Sequence, residues 1–144
     1  MRKTIEVVIE MLQNLGFDAE VNGESGIVKI GDASDPFVVV LTVSNDHLNI
    51  TCQVATQGEF DEEQLALVFY NALCENSRIR PFAFEIIDSR DDPSLIDPRE
   101  FPIILGDSIA VEDLSEKEVE FTMQRLIVAI SSCREVLAVE AVAV

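Results

Sequence analysis

The chain has 144 residues (15.9 kDa) and is 48% hydrophobic by composition, with ten Lys and Arg against 27 Asp and Glu, for a formal net charge of -17. That size suits one domain, residues 1–144, whose core needs no disulfide or metal, and that charge repels nucleic acid and anionic lipid. Leu126 to Cys133, the longest uncharged stretch of the C-terminal segment, is far short of the ~20 apolar residues that a bilayer requires, and Glu6 and Glu10 interrupt what would be the apolar core of a signal peptide. The expectation is a cytoplasmic protein that inserts into no membrane.

Ile5, Val8, Ile9, Leu12 and Leu15 recur at helical spacing, and Gly16 supplies a left-handed stop after which Phe17 folds back. Phe17, Ala19 and Val21 then alternate with Asp18, Glu20 and Asn22, and the Asn22-Gly23 turn signal leads into a second short run, Ile27 to Ile30, as in a hairpin. Pro36 opens the strongest strand, Phe37 to Val43, whose unbroken β-branched character predicts a central position with much of both faces covered. From His47 to Val54 the alternation is strict. Leu48, Ile50, Cys52 and Val54 share one face, and His47, Asn49, Thr51 and Gln53 share the other, wet one.

Asp61 and Gln64 predict a capping box for the second helix, with Phe60 packed on Leu65 as a hydrophobic staple. Leu65, Phe69, Ala72 and Leu73 form one apolar stripe, and Leu67, Tyr70 and Cys74 form another, so this helix needs two partners: the sheet, and either a third helix or a second subunit. Phe82, Phe84 and Ile86 predict a further strand, and Phe101 to Leu105 another, which Pro102 marks as an edge. The acidic loop between them, Asp88 to Glu100, lacks the ligand spacing and the glycine of a calcium loop and reads as solvated. A capping box from Ser115 to Glu118, with Leu114 against Val119, starts a last helix of roughly 25 residues. Its main stripe runs from Val119 to Leu137, while Phe121, Ile127 and Val128 carry apolar surface around the cylinder. The apolar tail from Leu137 to Val144 is expected to dock, on its own subunit or a neighbour.

The fold class expected is therefore α+β, an antiparallel sheet with helices packed on one face in the order α-β-β-β-β-α-β-β-α. Chemistry-bearing residues are few. Cys52, Cys74 and Cys133 are an odd number, lie far apart and form no C-x-x-C pair, so they read as reduced structural thiols. The one histidine, His47, stands at the start of a strand with no nucleophile beside it, Gly23 to Gly26 has no P-loop lysine, and adjacent acids such as Glu62-Glu63 diverge. No catalytic residue, cofactor or metal is assigned.

The order helix, antiparallel strands, helix, strands, long helix, in a small and very acidic chain, resembles the type III secretion chaperone-like fold of dimeric effector chaperones over nearly its whole length. Pro36 to Ser44 and the run from Phe101 to Ile130 are also similar to the YjfI-like family of bacterial proteins, which tend to be encoded near phage-shock-type membrane-stress proteins. The first resemblance implies a homodimer that binds another protein, and the second a partner connected with envelope stress. Two functions are carried forward. One is a non-enzymatic protein-binding domain, chaperone-like or regulatory, whose interface includes Leu67, Tyr70, Cys74, Phe121 and Val128 and whose acidic field suits a basic client. The other is a small-ligand-binding protein or enzyme using the polar sheet face around His47, Asn49, Thr51 and Gln53.

Overall fold

A computed structural model describes residues 4–87, 102–112 and 114–138. Helix α1 (Ile5–Asn14) buries Ile5, Val8, Ile9 and Leu12. It stops where Gly16, at φ +94°, lets its own N–H reach the Gln13 carbonyl at 3.0 Å while Phe17 N–H reaches back to the Leu12 carbonyl at 3.0 Å. This is the paired closure that a left-handed residue allows. Strands β1 (Asp18–Asn22) and β2 (Ser25–Ile30) follow as a hairpin, then β3 (Phe37–Ser44) and β4 (His47–Thr56).

Helix α2 (Glu62–Glu75) has its predicted cap: Asp61 Oδ1 accepts from Gln64 N–H at 2.8 Å, and Gln64 Oε1 accepts from Asp61 N–H at 3.0 Å. Strands β5 (Ala83–Ile86) and β6 (Pro102–Ala110) lead to α3 (Glu116–Leu137), where Ser115 Oγ accepts from Glu118 N–H at 3.2 Å and Leu114 and Val119 are both buried. The six strands form one antiparallel sheet in the order β1-β2-β3-β4-β6-β5.

All three helices lie on one face of this sheet. Helix α1 packs on β1 to β3, and α3 runs between α1 and α2. The core collects Val28, Val39, Leu41, Ile50, Cys52 and Leu105 from the sheet and Leu12, Val68, Met123 and Leu126 from the helices. Gly26 shows how close the layers come: a Cβ there would sit 2.5 Å from Ile9 Cδ1, so any larger residue would push the Ile9 side chain aside.

Four sequence expectations change. Strand β3 is central in order, but only its inner residues Val39 and Leu41 are buried, and Val38 and Val40 face outward, 43% and 39% exposed. Strand β6 is internal, paired with both β4 and β5, and Pro102 begins it without making it an edge. A register shift between Gln53 and Ala55 inserts one residue, so Ala55 takes the buried place expected of Val54, which is half-buried. Val21 does not join Ala19 in the core, and on the edge strand β1 it is 43% exposed. The loop from Asp88 to Glu100 and the tail beyond Ala138 lie outside the described residues.

Candidate protein-binding surfaces

The inner face of α2 is centred on Val68 and Ala72, with Leu65 and Phe69 half-buried beside them. At 100° per residue the opposite side carries Leu67, Tyr70 and Cys74, and the structure leaves all three exposed; Tyr70 is 68% accessible. Leu73, assigned by its spacing to the buried stripe, is instead turned outward and 72% exposed. It lies too far around the cylinder from Val68 to reach the sheet.

On α3 the buried side runs from Val119 through Leu126 to Val136, and Phe121 and Val128, seven residues apart, share its outward side. Helices α2 and α3 pack side by side, so the five residues proposed from sequence lie on the exposed side of one helical layer. Arg125 ties this layer together: its Nε donates to the Arg80 carbonyl at 2.9 Å and its Nη2 to the Arg78 carbonyl at 3.3 Å, fixing the connection from α2 to β5 against α3.

Next to this stripe Val68, Phe69, Ala72, Leu73, Phe84 and Ile86 line a groove of about 340 Å³ between α2 and β5. Phe84 is on the edge strand, and its outward backbone groups are occupied by Asn76, whose Oδ1 accepts from Phe84 N–H at 2.7 Å and whose Nδ2 donates to the Phe84 carbonyl at 3.4 Å. A side chain thus covers part of the free edge. Sequence reasoning missed Leu73 and Ile86, although the three-residue step from Tyr70 to Leu73 was a usable signal.

The outer side of β2 and β3 is the second surface. Val38 and Val40 stand out from β3, the half-buried Ile27 lies opposite Val40 on β2, and Thr51 lies opposite Val40 on β4. At one end of this face Pro36, Phe37, Val54, Asp35 and Glu59 help to line a groove of about 520 Å³.

The residues of the enzyme alternative do not converge. His47 is exposed, with Nδ1 2.9 Å from the Asn45 carbonyl oxygen; Asn49 donates to Ser44 Oγ at 2.9 Å and accepts from Ser108 Oγ at 3.0 Å. Gln53 lines the Asp35–Glu59 groove, at a remove from these pairs along β4. No cluster of three metal-ligating side chains occurs among the described residues.

Burial silences two of the thiols. It pushes Cys52 up to about 11 and Cys133 up to about 12, the neighbouring Cys52 adding to the latter. Cys74 is the exposed thiol, on the outward stripe of α2. Asp107 stands on the core side of β6 opposite Ile50; its Oδ2 has no hydrogen-bond partner among the described residues, and burial raises its carboxyl above the usual range against a bond from Ser108 N–H.

No family model matches this chain, and no curated protein matches it. Solved structures do. YbjN from E. coli, provisionally assigned as a transcription regulator, superposes with a TM-score of 0.64 at 10% identity, covering 94% of this chain and 90% of its own. The ExsC–ExsE complex provides a match with a TM-score of 0.60 at 16% identity, covering 98% of this chain and all of the matched one. This chain therefore has the type III secretion chaperone-like fold expected from its element order. The similarity to YjfI-like proteins is not among these matches. No described helix is long and apolar enough to cross a membrane.

Proposed function

We propose that this chain is a non-enzymatic, cytoplasmic protein-binding domain, chaperone-like or regulatory, that works as a homodimer and carries a bacterial protein client. The observation that carries this reading is the outward apolar stripe of Leu67, Tyr70, Cys74, Phe121 and Val128 on a helical layer whose inner faces are already filled. Several large apolar side chains grouped on one side of a helix form the kind of patch that marks an association surface.

Charge favours a second copy as the occupant of this stripe. From Glu62 to Phe82 and along α3 the seven acids Glu62, Glu63, Glu75, Glu116, Glu118, Glu120 and Glu135 stand against the five bases Arg78, Arg80, Lys117, Arg125 and Arg134. Two such layers meet with less repulsion than a net charge of -17 brings elsewhere on the surface. The fold supports the protein-binding part of this reading, since one matched structure is a complex of two different proteins, ExsC and ExsE.

The test is solution mass by light scattering across a concentration series. The wild type is expected to be a dimer, and Leu67→Glu with Tyr70→Glu is expected to give a folded monomer. A wild-type monomer at high micromolar concentration would refute the homodimer, and a dimer unaffected by the double substitution would move it to another face.

A further inference from the structure

The sheet face opposite the helices has a different character. From Asp18 to Glu59, the segment that builds β1 to β4, the chain has seven acids (Asp18, Glu20, Glu24, Asp32, Asp35, Asp46 and Glu59) and Lys29 as its one base. Of these, Glu20 lies opposite Ile27 on the outer face and Asp35 and Glu59 line the 520 Å³ groove in which the patch of Ile27, Val38 and Val40 ends, while Lys29 lies opposite Val38. Inside the groove Phe37, Val38 and Val54 are apolar, while Asp35 and Glu59 carry negative charge on its walls. The extra residue at the β4 bulge leaves Val54 at this wall, a use to which bulges beside binding sites are commonly put.

We infer that this groove and the adjoining face of β3 bind a segment of a partner protein that carries an apolar anchor flanked by lysine or arginine. The apolar floor excludes a purely electrostatic ligand as the best fit, and the acids exclude an anionic one. A second copy of this chain is also a poor fit, because a twofold contact here would set Asp35 and Glu59 near the same acids of the copy. The inference deepens the protein-binding reading by giving the client's chemistry, and it places the client on the opposite side of the molecule from the proposed dimer stripe. Attraction of this kind chiefly speeds encounter, and the apolar anchor supplies the discrimination.

The probe is a short fluorescein-labelled peptide of alternating leucine and lysine, titrated by anisotropy at low ionic strength against its leucine–glutamate and serine–lysine counterparts. The leucine–lysine peptide is expected to bind tightest, with at least about tenfold loss for the other two and for an Asp35→Lys, Val38→Asn double variant of the protein, a factor that corresponds to ~1.4 kcal/mol. Both substituted positions are exposed, so folding is spared, and circular dichroism checks this. Equal binding of the serine–lysine peptide would reduce the effect to net charge, and unchanged binding by the double variant would remove it from this face; either overturns the inference. The Leu67→Glu, Tyr70→Glu variant should bind the peptide like the wild type. If it loses the peptide together with its dimer mass, the site lies on the helical layer and this inference fails; if the wild type is a monomer that still binds as described, only the homodimer falls.

Discussion

The two sides of the molecule are both uncovered apolar surfaces, yet they are built from different side chains and set in different charge. The helical layer presents long side chains, Leu67, Tyr70, Leu73 and Phe121, among acids and bases mixed seven to five. The sheet face presents short β-branched ones, Val38 and Val40, in a segment of seven acids and one base, Lys29. Long anchors on a surface of mixed charge suit a fixed interface between like chains, because hot spots of binding are large side chains and self-contact demands no charge partner. A shallow floor in a mainly acidic surrounding suits an unlike partner. The difference teaches that exposure alone does not define a binding site's occupant; the surrounding charge does.

The largest expected effect separates the two sides of one helix. Leu126→Ala on α3 should cost 2–5 kcal/mol, since Leu126 is fully buried against the sheet, whereas Val128→Ala, two residues on, should change monomer stability by less than about 0.5 kcal/mol. Denaturant titration of both variants in the Leu67→Glu, Tyr70→Glu background checks this without interference from association. A smaller but sharper contrast concerns mass: Val38→Glu with Val40→Glu on the sheet face should leave the dimer intact. Loss of the dimer on that substitution would exchange the roles of the two surfaces.

Much of this was legible in the sequence where the signal was local. The Asp61–Gln64 box, the Gly16 stop and the hairpin after Asn22 each depend on residues within a few positions, and each formed as read. The stripe of Leu67, Tyr70 and Cys74 followed from helical spacing alone, and the structure leaves it exposed. Other features depend on residues distant in sequence. A β-branched run such as Phe37 to Val43 looks the same whether one face or both are covered, so the open outer side of β3 could not be read. The strand read as Phe101 to Leu105 continues to Ala110, because pairing with β4 carries β6 through Gly106, where β5 stops, to the His47 end of β4. The Asp35–Glu59 groove draws on the start of β3 and the end of β4, and no window of sequence contains it.

Asp107 provides a further, smaller contrast, this time with pH. Its folded carboxyl is raised above the ordinary 3.8 by burial, so the fold prefers the protonated form. Stability from this group is therefore present at low pH and is lost as pH climbs from the ordinary value through the raised one. Asp107→Asn should melt at a higher temperature than the wild type near neutral pH, with the gap closing toward about pH 3. A gap that stays constant with pH would show that the carboxyl's charge is not the cause. The smallest effect expected is chemical. In the folded Leu67→Glu, Tyr70→Glu monomer one thiol of three, Cys74, should react readily with a maleimide, and Cys52 and Cys133 should react only after unfolding. Mass spectrometry of the labelled protein checks this.

The same thiol gives the most direct test of the central claim, that the outward stripe of α2 and α3 is where two copies meet. The alkylation rate constant of Cys74 is measured across a range of protein concentration, in the wild type and in the Leu67→Glu, Tyr70→Glu variant. The account predicts that the wild-type rate constant falls as concentration rises and the dimer covers Cys74, while the variant's stays constant. A rate constant independent of concentration in a wild type that light scattering shows to be dimeric would contradict it, because the two copies would then meet on a surface that leaves this stripe open.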